Sequence, residues 1–143
     1  MKMKRVTILG SGAWAFALSQ ALKNVEVRMY SIEKEVVSSI QIHKKHPRFP
    51  IVSMKNPLEM HEDLKEAIEN ADLLIESVTS QGFKPVMQAL KDLGCKVPIL
   101  ITSKGIDHKG HTLYEIAKEI GLENLAVLSG ATFADEVLAR LTT

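Results

Sequence analysis

The chain has 143 residues, enough to bury one hydrophobic core, and its 45% hydrophobic and 24% charged residues are typical of a globular domain. A formal net charge of +1 gives no general attraction to nucleic acid or to a membrane surface, so we expect neither as a partner. The single cysteine, Cys95, excludes an intrachain disulfide and favours a reducing compartment such as the cytoplasm. We interpret Cys95 as structural.

Predicted strands and helices alternate along the chain. The strands are short and mostly apolar, at 5–10, 25–30, 72–78, 97–103 and 125–130, with a doubtful sixth at 51–54. The helices are predicted at 13–23, 33–42, 64–70 (alternatively from Glu59), 81–93, 111–120 and from 131 to 140. Residues 43–57 contain three prolines and are expected to be mostly loop. This alternation predicts an α/β fold, a doubly wound, mainly parallel Rossmann-type sheet with helices on both faces.

The N-terminus also has the ingredients of a secretion signal. The basic start MKMKR is followed by an apolar run and by small residues near AWAFA. Gly10, Ser11 and Gly12 interrupt that apolar run, and cleavage would delete the first strand of the pattern. We therefore favour the interpretation of this segment as strand, turn and helix.

The turn after the first strand reads GSGAWA, which is a GxGxxA variant of the dinucleotide-binding fingerprint. Gly10 would permit a tight turn, and Gly12 would let a pyrophosphate approach the backbone at the helix N-terminus. Ala15 is small enough for close packing of the helix against the strand. The alternative is a glycine turn that only joins two elements. The position of the GSGAWA turn between a predicted strand and a predicted helix favours nucleotide binding.

The nature of the nucleotide is left open by the end of the second strand. A carboxylate that binds the ribose is expected there, but Tyr30 and Ser31 occupy that place and Glu33 lies slightly beyond it. Lys34 is close enough in sequence to meet a 2′-phosphate. The end of this strand therefore does not distinguish NAD from NADP as the expected cofactor.

Two histidine pairs have a spacing that can bind a metal ion on a helix. They are His43 with His46, and His108 with His111. Both pairs lie in loop-like sequence that we interpret as lacking carboxylate or cysteine companions. No metal site is predicted.

Four stretches together resemble the bacterial-type NAD(P)-dependent glycerol-3-phosphate dehydrogenases, in the order and spacing of that family. They are GSGAWAFAL, SVTSQGFKPV, ITSKGID and VLSGATFADEV. The chain departs from the family pattern at Ala15, which replaces a third glycine, and at Thr79 and Ala131, which replace prolines. Ile32 stands where the family often has Arg or His. The segment HPRFPIV is similar to a shortened form of the family's NxRYLPG loop.

The resemblance implies an enzyme of glycerophospholipid metabolism that interconverts sn-glycerol 3-phosphate and dihydroxyacetone phosphate by hydride transfer with NAD or NADP. It assigns cofactor contacts to Gly10, Gly12, Ala13, Trp14, Ile32, Lys104 and Ala134. It assigns the small phosphorylated substrate to Lys104, Gly130 and Thr132.

Four of these residues have a simpler alternative in the sequence itself. Trp14 could be core packing, and Lys104 could be a solvated surface lysine. Gly130 and Thr132 could only cap the helix that follows them.

Members of this family are about twice as long and carry the main proton acceptor, a lysine, in a second, helical domain. The resemblance therefore implies that the main proton acceptor lies beyond Thr143, and no residue of the chain is assigned that catalytic role. It also implies that residues 1–143 form the dinucleotide-binding domain, inactive alone, with a bare face available for self-association.

Two other functions remain open at this point. A non-catalytic nucleotide-binding or sensing module is one alternative. Another dehydrogenase of similar architecture, such as a ketopantoate reductase, is a second, although ITSKGID and SGATFADE argue against it.

Overall fold

The computed structural model describes residues 2–130 and 133–141. Its strands are β1 (Arg5–Leu9), β2 (Glu26–Tyr30), β3 (Glu59–His61), β4 (Leu73–Glu76), β5 (Ile99–Ile101) and β6 (Leu125–Val127). All pairings are parallel, and the spatial order is β3-β2-β1-β4-β5-β6. Strands β2 and β3 therefore lie on one side of β1, and β4, β5 and β6 lie on the other side. This arrangement is that of a doubly wound nucleotide-binding sheet. The predicted fold class is confirmed.

The helices follow the strands in the expected alternation. They are α1 (Ala13–Ala21), α2 (Lys34–Ser38), α3 (Leu64–Ile68), α4 (Ser80–Asp92), α5 (Leu113–Ile120) and α6 (Ala134–Leu141), with a π-helical turn at Ser39–His43 after α2. Helix α5 begins at a capping box, in which Thr112 and Glu115 exchange side chain-to-backbone hydrogen bonds. The predicted start of the last helix at 131 lies outside the described residues.

Alternate residues of the central strands send their side chains to opposite faces of the sheet. Leu9, Leu74 and Ile99 pack on one face with α4 and α5. Ile8 and Ile75 pack on the other face, with Ala15 of α1 and with α2. Burial on both faces explains why these strands are apolar throughout, and it fixes the ends of β1, β4 and β5 side by side.

The sixth strand lies elsewhere than predicted. Residues 51–54 form no strand; the amide of Val52 instead donates to the carbonyl oxygen of Phe49 in a turn. The sixth strand is β3, at one edge of the sheet, and it begins at Glu59, where a helix start was the alternative. Only Met60 of its three residues is buried, so the segment is too short to show a strand periodicity.

No helix within the described residues is both long enough and apolar enough to span a bilayer.

Candidate functional site

A cleft of about 810 Å³ lies at the carboxyl ends of the strands, on either side of the point where β1 and β4 are neighbours. This volume falls within the range of roughly 300–1,000 Å³ that is typical of small-molecule sites. The turns that follow five strands contribute to its lining, at 10–15, 30–33, 77–80, 102–104 and 128–130. A parallel doubly wound sheet binds its ligands at this edge, because the strand order reverses there and the two neighbouring turns separate.

The two glycines of the first turn have different roles. Gly10 has φ +112°, and a Cβ at this position would lie 2.4 Å from the carbonyl oxygen of Ser77. Gly10 is therefore required by the backbone itself, where the turns after β1 and β4 touch. Gly12 has an extended backbone with φ −71°, and a Cβ there would meet nothing within 4 Å. The space over Gly12 is part of the cleft.

The first turn of α1 is left open toward this space. Gly12 is the N-cap residue, no side chain caps the helix, and its first turn carries no acidic residue. The first N–H groups of a helix have no partner inside the helix, and they carry the positive end of its dipole. Ala13 and Trp14, which line the cleft, thus present an anion-binding end of a nine-residue helix.

The GSG turn is tied to the end of β2 by short hydrogen bonds. The hydroxyls of Ser11 and Ser31 lie 2.6 Å apart and are both buried, and the amide of Gly10 donates to the carbonyl oxygen of Tyr30 at 2.9 Å. The amide of Glu33 donates to the Ser31 hydroxyl at 3.0 Å. Ser31 therefore fixes the turn, and Glu33 is the first carboxylate beyond β2 that reaches the cleft lining.

A buried histidine from the proline-rich loop supports the same turn. The Nε2 atom of His46 lies 2.7 Å from the carbonyl oxygen of Ser11, and its Nδ1 accepts the amide of Arg48 at 3.1 Å. A carbonyl can only accept, so Nε2 carries the hydrogen and Nδ1 does not, which makes the ring neutral. Phe16 and Phe49 pack around the ring, with centroids at 5.1 and 5.7 Å.

We predict that protonation of His46 weakens the fold. Burial lowers the pKa of His46 below its ordinary value of 6.5, so the unfolded chain binds this proton more readily than the folded chain. The free energy of unfolding should therefore decline as the pH falls below about 6.5 and be unaffected by this group above it. Thermal unfolding across this range is the measurement.

Two variants isolate the contribution of His46 to that pH dependence. His46→Gln keeps a side-chain donor but does not titrate, so its stability should depend less on pH than that of the wild type. His108→Gln, at an exposed histidine, is the matched control and should follow the wild type. A His46→Gln profile parallel to the wild-type profile would contradict the prediction.

The rim beside β2 carries one side chain of each charge. Ile32, Glu33 and Arg48 all line the cleft here, and Ile32 is 81% exposed. Arg48 belongs to the loop that His46 anchors. Because this loop is distant in sequence from the glycine turn, the sequence did not predict that Arg48 lines the cleft. Lys34, which the sequence suggested as a phosphate contact, is exposed and is not among the residues that line the cleft.

The opposite end of the cleft joins two of the sequence motifs. Lys104 follows β5, and its Nζ donates a hydrogen bond of 2.6 Å to the carbonyl oxygen of Gly130, which follows β6. Both residues line the cleft, as does Ala134 at the start of α6. The three motifs that carry the predicted cofactor and substrate contacts therefore border one cleft.

Trp14 borders both the cleft and the core. Its side chain packs against the core cluster formed by Phe16, Ala17 and Leu138. The core contact and the cleft contact therefore coexist.

Two positions used in the sequence predictions lie outside the described residues. Thr132, a predicted substrate contact, lies outside the described residues, and so does Thr143, beyond which the main proton acceptor is expected. Both assignments therefore stay predictions.

A buried carboxyl group that the sequence did not reveal lies next to this end. Glu76 is the last residue of β4 and is fully buried. Its carboxyl oxygens contact the amide of Val78 at 3.1 Å and the hydroxyl of Ser103 at 2.7 Å. Glu76 thereby links the turns that follow β4 and β5, both of which line the cleft.

In the second histidine pair, His111 has a carboxylate neighbour that the sequence analysis missed. The Nδ1 atom of His111 lies 3.2 Å from a carboxylate oxygen of Asp107, which also accepts two backbone amides of its own loop. These hydrogen bonds lower the pKa of Asp107. Within residues 2–130 and 133–141, no group of three or more His, Cys, Asp or Glu is arranged to hold a metal ion.

Comparison with known proteins gives the family. The model of the family described as NAD-dependent glycerol-3-phosphate dehydrogenase N-terminus matches residues 5–143. The glycerol-3-phosphate dehydrogenases [NAD(P)+] of Chlamydia felis and Chlamydia caviae are 37% and 38% identical, over 94% of this chain and 43% of each relative. The chain thus spans less than half the length of these curated relatives.

Solved structures show the same relationship. The crystal structure of glycerol-3-phosphate dehydrogenase from Coxiella burnetii superposes with a TM-score of 0.83 at 32% identity, covering 96% of this chain and 44% of that chain. The Plasmodium falciparum glycerol-3-phosphate dehydrogenase gives 0.79 at 27% identity, over 96% and 43%. A malate dehydrogenase from Cryptosporidium parvum, at 13% identity and a TM-score of 0.63, shows the shared fold alone; it covers 90% of this chain and 46% of that chain.

Proposed function

Because this chain belongs to the NAD-dependent glycerol-3-phosphate dehydrogenase N-terminal family, we propose that it is the cofactor-binding half of an oxidoreductase. The enzyme would interconvert sn-glycerol 3-phosphate and dihydroxyacetone phosphate with NAD(H) or NADP(H). The observation that carries the proposal is the open backbone at Gly12, which lies over the uncapped N-terminus of α1 inside the cleft.

The residues of the cleft fit a dinucleotide. The turn at Gly10–Ala15 would hold the pyrophosphate, because a phosphate can reach the backbone N–H groups where Gly12 has no side chain. Ser31 and Glu33 lie beyond β2, where a ribose is bound in such folds, and Ile32 and Arg48 flank that position. When bound, the nicotinamide supplies the hydride acceptor or donor.

Lys104 and Gly130 are the proposed substrate contacts, together with Thr132. The Nζ of Lys104 lies at the carboxyl ends of β5 and β6 and is exposed to the cleft, so it can contact a phosphate or a developing oxyanion. Lys104 lines the same cleft as Ala134 and Trp14, which are among the residues that the resemblance assigns to the cofactor. We therefore propose that Lys104 contacts the cofactor as well.

We further propose that residues 1–143 form the dinucleotide-binding domain and that a second, helical domain beyond Thr143 supplies the main proton acceptor. Oxidation of a secondary alcohol needs a base within hydrogen-bond reach of its hydroxyl. Among the described residues that line the cleft, Lys104 is the one cation on the β5 side, and its Nζ is engaged by the Gly130 carbonyl oxygen.

An exposed apolar surface supports this division. Val127, Leu128 and Phe133 are 53%, 46% and 67% exposed beside the cleft. Apolar groups that cluster at one edge are expected to be covered in a working enzyme. In the 143-residue chain this surface would favour self-association into a homo-oligomer.

The proposal is tested by measuring dinucleotide binding and catalytic turnover separately on the 143-residue chain. We expect the 143-residue chain to bind NADH or NADPH but not to oxidise them with dihydroxyacetone phosphate, because the second domain is proposed to supply the base and one wall of the substrate site. Fluorescence titration and the absorbance of the reduced cofactor are the two measurements. Steady turnover by this chain, abolished in Lys104→Ala, would contradict the division between two domains. Failure to bind either cofactor would contradict the proposed function.

Arg48 is predicted to select the phosphorylated cofactor. A guanidinium at the ribose end of the cleft can pair with a 2′-phosphate, whereas Ile32 cannot. Arg48→Gln should weaken NADPH binding about tenfold, ~1.4 kcal/mol, and leave NADH binding nearly unchanged. Lys34→Gln is the matched control, since Lys34 is exposed and outside the cleft lining. An equal loss for both cofactors in Arg48→Gln, or a selective loss in Lys34→Gln, would refute the assignment.

A further inference from the structure

Glu76 lies at the junction of two cleft-lining turns without lining the cleft itself. It ends β4 directly before Ser77 and Val78, which do line the cleft, and its backbone carbonyl oxygen accepts the hydroxyl of Thr102 at 2.7 Å. The side chain is fully buried. The proposed reaction makes no use of this carboxyl group, so its place in the fold needs another explanation.

Four contacts among Glu76, Val78 and Ser103 define the surroundings of this carboxyl group. One oxygen, Oε1, accepts the amide of Ser103 at 3.2 Å, and the other, Oε2, accepts the amide of Val78 at 3.1 Å. The hydroxyl oxygen of Ser103 lies 2.7 Å from Oε2 and also 2.7 Å from the carbonyl oxygen of Val78.

The number of hydrogens available for these contacts indicates the protonation state of Glu76. A serine hydroxyl has one hydrogen, and both a carboxylate and a carbonyl only accept. If Glu76 were ionised, one of the two contacts at 2.7 Å would bring together two oxygens with no hydrogen between them. If Oε2 carries a proton, Glu76 donates to Ser103 and Ser103 donates to the carbonyl oxygen of Val78. Each contact then holds one hydrogen.

We infer that Glu76 is a neutral carboxylic acid that acts as a positioning residue. Its proton completes a chain of hydrogen bonds from β4 through Ser103 to Val78, and this chain holds the turn after β5 against the turn after β4. Lys104 follows Ser103 directly, so the place of the proposed substrate lysine depends on this chain of hydrogen bonds.

The surroundings agree with a neutral side chain. The neighbouring residues in the strand register are apolar, Leu9 of β1 and Ile101 of β5. The charged side chains of α4 and α5, which pack on this face, are all exposed: Lys84, Lys91, Asp92, Glu115, Lys118 and Glu119. The Nζ of Lys104 is directed to the Gly130 carbonyl oxygen. Burial raises the pKa of Glu76, and the hydrogen bonds from Ser103 and Val78 only partly offset this effect.

The first experiment reads the protonation state without any cofactor. We expect the infrared spectrum of the wild-type chain at neutral pH to contain the carbonyl stretch of a protonated carboxylic acid, which is absent in Glu76→Gln. Glu119→Gln, at an exposed glutamate of α5, should retain it. A wild-type spectrum that lacks this band would overturn the inference, whether or not the chain binds dinucleotide.

The second experiment reads the positioning role, and it rests on the proposed function. Gln is neutral and its Nε2 can donate to Ser103 as the acid proton does, but it cannot accept the amide of Val78. Glu76→Gln should therefore bind NADPH more weakly than the wild type at neutral pH, by less than the roughly tenfold expected of Ser103→Ala. As the pH rises through the raised pKa of Glu76, the wild type should lose affinity and stability while Glu76→Gln does not. Ser103→Ala removes the hydroxyl that connects the two turns, and it should weaken NADPH binding about tenfold at neutral pH.

Two results of the second experiment would overturn the positioning role. One is a loss in Glu76→Gln at neutral pH that exceeds the loss in Ser103→Ala, because a neutral amide that keeps the hydrogen bond to Ser103 should cost less than removal of the hydroxyl that joins the two turns. The other is an identical pH profile for the wild type and Glu76→Gln. If the wild type bound neither NADH nor NADPH at any pH, the proposed function would fail and the infrared result alone would decide the state of Glu76.

Discussion

Gly12→Val is expected to abolish dinucleotide binding while the chain stays folded. The backbone of Gly12 is extended, with φ −71°, which any residue adopts, and a Cβ there meets nothing within 4 Å. The branched side chain would instead fill the space through which a pyrophosphate reaches the N-terminus of α1. We expect the affinity for NADH and NADPH to fall at least about 100-fold, ~2.7 kcal/mol, in a fluorescence titration.

Gly10→Ala is the matched control, because it should reduce the stability of the fold, whereas Gly12→Val should reduce only the affinity for the dinucleotide. A Cβ at Gly10 would lie 2.4 Å from the carbonyl oxygen of Ser77, and φ is +112°. This variant should lower the midpoint of thermal unfolding, since strained backbone of this kind costs roughly 1–3 kcal/mol before the clash is added. Gly12→Val should keep the wild-type midpoint. Wild-type affinity for both cofactors in Gly12→Val would move the dinucleotide site away from this turn.

The sequence was sufficient to predict the features that repeat along the chain. Apolar strands alternate with helices, and the GxGxxA turn follows the first strand, so the sheet and its ligand-binding edge could be predicted from period and glycine placement. Lys104 and Gly130 could be predicted only through their motifs, because a lone lysine and a lone glycine are common on surfaces. The structure adds the hydrogen bond that joins them.

The features that were missed depend on contacts between distant segments. His46 and Ser11 are 35 positions apart, and the histidine stands in a proline-rich loop that carries no periodic signal. Arg48 reaches the cleft because His46 fixes that loop. Glu76 interrupts an otherwise apolar strand, and this was the one local sign available. Its meaning depends on Ser103, which lies on the neighbouring strand's turn, 27 positions away.

Lys104→Ala should cause the largest loss of activity among the substitutions of the β5 and β6 turns. The measurement needs a protein of the relatives' length, in which this chain is followed by a substrate-binding half. A charged contact to a substrate phosphate or an oxyanion contributes a few kcal/mol, so kcat/KM with dihydroxyacetone phosphate should fall at least about 100-fold. The fold should survive, because Lys104 is exposed and its hydrogen bond to Gly130 is at the surface.

Lys109→Ala is the control that separates this contact from a general effect of positive charge. Lys109 is an exposed lysine of the same loop, outside the cleft lining, and its loss should leave kcat/KM close to that of the wild type. Lys104→Arg keeps the charge but changes the shape of the donor, so it should recover part of the activity if charge dominates. Equal kinetics in Lys104→Ala and Lys109→Ala would show that the lysine after β5 binds neither substrate nor cofactor. The hydrogen bond to Gly130 would then only join two turns.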